Sequence, residues 1–589
     1  MKRRVLRSIR VTGSVLGLLT LLWSTIALGQ TDVHDDAGAS TPTATPAASD
    51  DAAVQAVSLP SSPPSSLAHD SPALVSPSTP PPLAPPLLSS NPPAFAARDG
   101  YPLAGRVSEY FYLRDANDDF RIYFGGRAQA DAYLPFGAGV SSAAAGAGLA
   151  PTFFVRRARP ELAGEFLGHW QWMISGEWGR TAVGNANGQV ATPICTVAAK
   201  TGAQTCVLES TGVESASYTA QLQDVYMNFR AANVFNIEAG QILIPFTLEN
   251  RTSTNFIPFL ENSLPVRTIG APNLRDIGVM AWGETTASLF HYEVGIFNGD
   301  GPNVLNQDSN FDGIGRVFAH PFALTSTLLK TLQIGGSGHY GVRSAKTVGY
   351  DYPSLTTQEG YAFWKPTYTD SNGNLTHIIP SNQQITAAGE LYWPVSIVDL
   401  TSELVYADHD TREARDGYQL AYPNTERYGT MKGYSYYLQV GVWLAGDRQS
   451  VRRPGYQDPP HIDFAKPLPV TTSSVELLAK FEQLHLSYAS ASRVGTPNAK
   501  SPDGDIDVDV VSFGATYWIT RRVRLSLNYD LNIFPGSEPG TPSATGDPKQ
   551  SSSQRAVGPA QGLAIGVDDS AREGAHTLSE LTARAQVAF

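Results

Sequence analysis

Arginine is the residue type in this sequence whose side chains could bind a solute. A guanidinium keeps its positive charge at every physiological pH and presents a planar fork of N–H donors that matches two oxygens of a phosphate. If such residues lined a path through the molecule, they would attract and select small anions. The candidates are Arg127, Arg156, Arg157, Arg159, Arg251, Arg267 and Arg275.

Side-chain alternation assigns several of these arginines to faces, because successive side chains of an extended strand point to opposite sides. Arg127 lies opposite the apolar residues of its segment, and Arg157 and Arg159 share a face with Glu161. Arg156 falls on the other face, among apolar neighbours. Either Arg156 lies near a strand end, or the phase of the alternation changes there.

A structural role is the alternative interpretation of these arginines. They would then form a ladder with Glu161, Glu177 or Asp131 that holds a wall together without contacting solute. Residue spacing does not separate this ladder from an anion path, so both interpretations stay open.

The elements that must position these residues are long amphipathic strands. The segment "RRVRLSLNYDLNIF" (521–534) alternates apolar and polar residues from Arg522 to Ile533. A soluble strand usually has about five or six residues, whereas a tilted strand that crosses a bilayer needs roughly nine to eleven. The terminal segment "ELTARAQVAF" alternates in the same way and ends on Phe589, as the last strand of a bacterial outer-membrane barrel usually does.

Similar segments recur from about residue 105 to the end and predict about sixteen or seventeen antiparallel strands. Two of them are expected as separate strands at 473–482 and 484–493. Short turns alternate with long polar loops, which is typical of a transmembrane barrel with long extracellular loops on one side. The predicted long loops are 181–217, 344–383, 408–432, 446–471 and 535–575.

Large aromatic residues stand near the proposed strand ends. We interpret them as a girdle at the membrane interfaces, rather than as a track for sugars inside a pore. They are Tyr133, Trp178, Trp282, Trp393, Tyr406, Trp443 and Trp518.

The N-terminal part of the sequence, residues 1–104, has a different composition. Residues 1–29 join basic residues to an apolar stretch and small residues, which predicts a signal peptide. Residues 30–104 are rich in Ala, Pro, Ser and Thr and predict a disordered periplasmic linker. Its part 31–97 is either a plain spacer or a tether that reaches the peptidoglycan. The barrel is predicted over 105–589.

Other function classes are disfavoured. The formal net charge of −12 opposes nucleic-acid binding. Eleven scattered histidines and the absence of a GxSxG motif argue against an enzyme, and no metal or cofactor site is predicted. Cys195 and Cys206 lie in one polar stretch, where an exported protein would pair them as a disulfide.

Several segments resemble the phosphate-selective porin O and P family. They are "FVRRARPELAGEFLGHWQW" (154–172), the block from "LQDVYMNFRAANVFNIEAGQ" to "FLENSLP" (222–265), "RDIGVMAWGE" (275–284) and the strands from "VVSFGATYWI" onward. The paired arginines of the family match Arg156 and Arg157. Phosphate-selective members carry Lys and Arg after two "LE" pairs, and here Asn250 and Asn262 stand at those places.

The resemblance implies a sixteen-stranded barrel, a homotrimer in outer-membrane lipid, and a loop folded into the lumen. It also implies passive diffusion of small anions, in some members phosphate or polyphosphate. Because of the two asparagines, strict phosphate specificity does not follow. The alternatives are a general or weakly cation-preferring porin and a structural barrel that anchors the envelope.

Overall fold

The computed structural model describes part of the chain. The predicted signal peptide (1–29) and residues 30–100 of the predicted linker lie outside the described residues, so both stay predictions. Within the described part, no helix has the length and apolar character needed to cross a bilayer. The described residues are 101–107, 110–137, 140, 149–179, 193–197, 204–208, 220–270, 274–344, 349–364, 366–369, 375–415, 427–446, 448, 454–457, 459–464, 473–492, 504–534 and 577–589.

The described elements are almost entirely β-strands. One short helix, α1 (Leu264–Thr268), and two 3-10 turns, Thr286–Ser288 and Leu328–Thr331, accompany them. In chain order the strands are β1 (Ala104–Val107), β2 (Tyr110–Arg114), β3 (Phe120–Phe136), β4 (Thr152–Phe166), β5 (Trp170–Glu177), β6 (Pro193–Val197), β7 (Gln204–Leu208), β8 (Gln221–Ala232), β9 (Phe235–Leu243), β10 (Arg275–Glu284), β11 (Phe290–Phe297), β12 (Asp312–Ala319), β13 (Gln333–Arg343), β14 (Leu355–Thr356), β15 (Ala362–Trp364), β16 (Thr367–Thr369), β17 (Leu375–Val395), β18 (Val398–Arg415), β19 (Arg427–Ala445), β20 (Ser474–Ser492), β21 (Gly504–Thr520), β22 (Val523–Ile533) and β23 (Thr577–Ala588).

Sixteen of these strands close into an antiparallel barrel, as predicted. They are β3–β5, β8–β13 and β17–β23, each hydrogen-bonded to the next. The ring closes where β23 pairs with β3 and sets Ala585 opposite Ala130. Closure leaves no sheet edge with unpaired backbone groups, which is the condition for a sheet to span lipid.

The two faces of the wall have opposite polarity, as the alternation predicts. In β22, Leu525 and Leu527 point outward and each remains 48% exposed, whereas Arg524 and Asn528, on either side of this pair, are fully buried inside. A water-soluble protein would show the reverse arrangement. The barrel therefore has an apolar outer surface and a polar lumen over most of its height.

At the long-loop ends of β18–β21 this polarity is exchanged, which the sequence did not lead us to expect. Outward Lys432 pairs with Asp408 at 2.6 Å, and outward His485 contacts Asp507 at 2.6 Å. The strands there continue beyond the apolar belt, and the lumen at that level is filled by a buried apolar core. Inward residues of this core include Val405, Ala407, Leu484, Leu486, Ile506 and Val508, and loop residues include Leu264, Leu355 and Trp364.

The prediction of two strands at 473–493 is wrong, and strands β17, β18 and β19 extend into the predicted loops 344–383 and 408–432. Residues 473–482 and 484–493 form one strand, β20, rather than two. Because successive strands run in alternate directions, this places the connection 446–473 at the same end of the barrel as the short turn at 521–522. It is therefore not one of the long loops at the opposite end.

Candidate functional site in the lumen

A loop between β9 and β10 (residues 244–274, the first lumen loop) folds into the barrel and is held from one side by arginines. The Arg524 guanidinium donates to the Ile257 carbonyl at 2.8 Å and to the Thr254 carbonyl at 3.2 Å. The Arg584 guanidinium donates to the Leu260 carbonyl at 2.5 Å. Basic side chains of β22 and β23 thus satisfy backbone acceptors that would otherwise be buried without partners.

The opposite side of the same loop is held by carboxylates. Glu403 on β18 accepts from the backbone amides of Leu248 at 2.5 Å and Glu249 at 3.2 Å. Glu482 on β20 accepts from the Leu264 amide at 2.5 Å. The first lumen loop therefore lies between a basic wall and an acidic wall, and it divides the lumen into two sides.

Glu261 is the main anchor of the loop on the basic wall. Arg156, Arg157 and Arg584 contact its carboxylate at 2.8, 2.7 and 2.6 Å. These three guanidinium groups outweigh the cost of burial and hold the pKa of the Glu261 carboxyl well below its usual range. Arg584 also forms a two-pronged pair with Asp131, both contacts being 2.7 Å.

A β-bulge explains how adjacent arginines both reach Glu261. Gln129 pairs with Arg157, but the next residue, Ala130, pairs with Val155, so Arg156 is an extra residue in β4. A bulge changes the phase of alternation. The expectation that Arg156 shares the apolar face is wrong for this reason, and of the two explanations left open, the phase change is the correct one.

The structure places every predicted arginine inside the barrel and pairs each with a carboxylate. Outside the Glu261 cluster, the pairs favour the ladder interpretation of the wall. They are Arg127 with Glu161, Arg159 with Glu177 at 2.9 Å, Arg251 with Glu293 at 3.0 Å, Arg275 with Asp224 at 2.9 Å and Arg267 with Glu482 at 3.6 Å.

Three of these arginines meet in a small chamber on the basic side of the first lumen loop. The chamber has a volume of about 70 Å³ and is lined by Arg127, Arg159 and Arg275. Asn250 and Asn262 also line it, so the two positions that depart from the family pattern do lie beside these arginines. Arg251 and Arg267 belong to the loop itself but do not line the chamber: Arg251 donates to the Leu243 carbonyl and Arg267 to the Thr356 carbonyl.

A larger cavity of about 530 Å³ lies on the acidic side of the loop. Trp443 lines it, and the indole of Trp518, which is 1% exposed, lies inside the barrel next to Trp443 and Phe256. Trp282 and Tyr133 also point inward, to Asn228 and Glu580. The girdle prediction is therefore wrong for these four residues, whereas Trp178 and Tyr406 remain exposed on the surface.

The connection 446–473 contributes a third lumen element. Its described residues 454–457 and 459–464, the cross-lumen segment, extend from one wall to the other. The Gly455 carbonyl accepts from Arg316 on β12 at 2.7 Å, and the Gly455 amide donates to Thr252 of the first lumen loop at 2.8 Å. At the other end, the Ile462 carbonyl accepts from Arg121 on β3 at 2.9 Å. No regular sequence pattern predicts these contacts.

The loop between β13 and β17 (residues 344–374, the second lumen loop) carries a buried acid, Glu359. This residue is 1% exposed, and neither carboxylate oxygen has a hydrogen-bond partner among the described residues. Burial, followed by the nearby charge of Asp131, raises the pKa of Glu359 to about 8 from an ordinary value of 4.5. The second lumen loop is therefore packed with Glu359 protonated at neutral pH.

We expect this acid to make stability fall as pH rises. The unfolded chain releases the Glu359 proton near pH 4.5, while the folded chain keeps it until about pH 8. Unfolding is thus increasingly favoured between these values, by on the order of 4 kcal/mol in total. Urea unfolding at a series of pH values measures this slope, and Glu359→Gln should flatten it. A slope that survives unchanged in the Gln variant would assign the effect to another group.

The two cysteines of the predicted disulfide lie on two short strands whose backbone the structure describes. Cys195 on β6 and Cys206 on β7 are direct partners in the antiparallel register. Opposed residues of such a pair have Cα atoms about 4.5–5.5 Å apart, within the range that a disulfide requires. The backbone thus fits the bond, which stays a prediction.

Comparison with known proteins identifies the family of the chain. A family model described as phosphate-selective porin O and P matches residues 139–531. No protein with a curated description matches the chain. Among solved structures, an anion-selective porin from Comamonas acidovorans is 11% identical, with a TM-score of 0.38, and the match covers 80% of this chain and 100% of that one.

Two further structural matches are equally remote. The outer membrane channel DcaP of Acinetobacter baumannii is 9% identical, with a TM-score of 0.39, over 81% of this chain and 99% of that one. The trimer form of OmpT, an outer membrane protein of Vibrio cholerae, is 9% identical, with a TM-score of 0.39, over 80% and 100% of the two chains.

Proposed function

Since the chain belongs to the phosphate-selective porin O and P family and is thus a porin of the bacterial outer membrane, we propose that it lets small anions diffuse passively through the chamber beside Arg127, Arg159 and Arg275. Diffusion through a channel needs no catalytic group, so the protein acts as a channel rather than as an enzyme. The selection of the ion comes from the charge and width of the chamber.

The charge of the chamber supports this proposal. Five arginines line it against two acidic side chains, Glu161 and Asp224. The side chains of the lining thus carry three more positive than negative charges. In a narrow space with protein walls such an excess attracts anions and repels cations.

We expect this chamber to select phosphate less strongly than phosphate-selective members of the family do. Asn250 and Asn262 line it with neutral amides where those members have Lys and Arg. The Asn250 side chain is also occupied, since its amide donates to the Ile244 carbonyl at 3.2 Å and to the Leu274 carbonyl at 3.4 Å. We therefore propose a preference for small anions in general.

The reversal potential of a planar bilayer under a KCl gradient tests the proposal. We expect the sign that corresponds to anion preference, and we expect Asn262→Arg to strengthen it, because the new guanidinium adds one positive charge to the chamber. The Asn262 carbonyl, which accepts from Arg267 at 2.9 Å, is unchanged by this substitution. Asn117→Arg adds the same charge on an exposed turn and is the matched control. A reversal potential that does not move in Asn262→Arg contradicts an ion path through the chamber.

The second candidate is a general or weakly cation-preferring porin. It is favoured by the larger cavity on the acidic side, where Glu249, Asp399 and Glu476 face a single arginine, Arg448. A reversal potential of cationic sign in the unmodified protein supports this candidate and contradicts the first.

Assembly and envelope contacts belong to the same proposal. We propose a homotrimer in outer-membrane lipid, as the family resemblance implies. Residues 31–97 are proposed as a spacer or a peptidoglycan tether, and their deletion should weaken the envelope only if they act as a tether.

A further inference from the structure

The cavity on the acidic side of the first lumen loop has the composition of a binding site. It has a volume of about 530 Å³, and aromatic side chains from three different elements line it: Phe256 of the loop, Tyr437 and Trp443 of β19, and Tyr392 of β17. Cavities of this size, with several aromatic side chains and a few polar groups, are typical of sites for small organic molecules.

Two buried polar groups of this cavity are poorly satisfied. Glu476 is 3% exposed, receives one long hydrogen bond from Trp518 Nε1 at 3.4 Å, and has no Lys or Arg of the described residues within ion-pair distance. Gln439 is 4% exposed, and its Oε1 has no hydrogen-bond partner among the described residues. A buried carboxyl group with one long hydrogen bond and a buried amide oxygen without a donor are costly unless a ligand supplies further partners.

Asp399, an acid of the same cavity, has both a basic partner and a hydrogen-bond donor. Its carboxylate contacts Arg448 at 2.6 Å and accepts from Trp443 Nε1 at 2.6 Å. These contacts fix the Trp443 ring in the cavity wall. Asp399 therefore positions an aromatic face, and Glu476 is the acid of this cavity that a bound cation would pair with.

We propose that this cavity binds small organic cations of the alkylammonium class. Aromatic faces stabilise an ammonium group through their negative ring faces, and methyl groups on the nitrogen pack against the same rings. The Glu476 carboxyl, which releases its proton to solvent when the cation binds, neutralises the charge, and Gln439 Oε1 accepts from any N–H or O–H that the cation carries. Because the Arg448 guanidinium in this lining is already paired with Asp399, we expect anions and organic cations to use opposite sides of the first lumen loop. The inference rests on the open lumen of a porin but not on the anion preference proposed above.

Choline and its neutral isostere 3,3-dimethylbutan-1-ol are the probes for this site. They have nearly the same shape and differ in charge. Binding to the purified full-length protein in detergent is measured by quenching of tryptophan fluorescence and by isothermal titration calorimetry, neither of which depends on ion selectivity. We expect saturable binding of choline, with the neutral isostere bound at least about tenfold more weakly.

Two substitutions test the roles of the residues. Glu476→Gln keeps the shape and an acceptor for Trp518 and should weaken choline binding by about tenfold or more. Asp507→Asn removes a carboxylate from the outer surface and should leave binding unchanged. A second variant, Trp443→Leu, should weaken choline several-fold.

The possible outcomes distinguish the organic-cation site from the proposed anion preference. Equal binding of choline and its isostere, or unchanged choline binding in Glu476→Gln, overturns the proposal. A cationic reversal potential in the unmodified protein, together with choline binding that depends on Glu476, contradicts only the anion preference and leaves this site in place.

Discussion

Replacing Arg584 with Met is expected to lower the free energy of unfolding by about 3–5 kcal/mol. Asp131 is 3% exposed, and its two described contacts are both to the Arg584 guanidinium at 2.7 Å. The substitution leaves this carboxylate buried in the wall without a partner. Arg584 also holds the first lumen loop through Leu260 and Glu261, so the loop loses part of its anchorage as well.

Urea unfolding of the protein reconstituted in lipid vesicles measures the loss. The double variant Asp131→Asn, Arg584→Met is the control, because removing both charges of a buried pair costs much less than removing one. It should recover most of the stability but not the loop contacts. A loss below about 1 kcal/mol in the single variant would mean that water reaches Asp131 and compensates its charge.

The wall of the barrel could be predicted from the sequence because its physics is local. In β22 and β23, lipid outside and polar groups inside impose alternation at every residue, and the structure follows it from Arg524 to Asn532. For the seven candidate arginines, the sequence predicts one of two roles: they line an ion path, or they form a structural ladder in the wall. Their pairing with nearby carboxylates on adjacent strands, such as Arg159 with Glu177, is also within reach of spacing arguments.

The interior could not be predicted because its contacts join distant parts of the chain. Glu261 lies 323 residues from Arg584, and Arg524 lies 267 residues from the carbonyl of Ile257. The bulge at Arg156 is visible in the sequence as two adjacent arginines that break the alternation. A strand end would explain the same pattern equally well. The exchange of polarity at the long-loop end depends on loops that fold inward, and strand periodicity carries no information about them.

The lumen as a whole shows why counting arginines is a poor guide to selectivity. Each candidate arginine has an acidic partner, and much of the basic wall is occupied by backbone carbonyls of the first lumen loop. In the proposed function, selectivity therefore comes from the small charge excess that remains on each side of the loop. The basic chamber and the acidic cavity differ in sign, and the loop between them keeps the two environments apart.

The cross-lumen segment gives the second prediction with a large effect. It passes between opposite walls, so ions that cross the barrel must pass beside it. Displacing it should raise single-channel conductance several-fold, because a wider opening adds less resistance to the path. The walls themselves should survive the change, since Arg316 keeps its pair with Glu390 at 2.8 Å.

Gly455→Val is the substitution that displaces the segment with one residue. Gly455 has φ +80°, and an added Cβ would lie 2.6 Å from the Arg316 guanidinium and 3.3 Å from Leu248. A branched side chain disfavours this backbone conformation and clashes with the wall. Gly313→Val is the matched control, because a Cβ at Gly313 meets no atom within 4 Å. Single-channel recording of both variants should show a higher conductance for Gly455→Val only. Equal conductance in the two variants and the unmodified protein would place the ion path away from the cross-lumen segment, and with it the narrowest part of the channel.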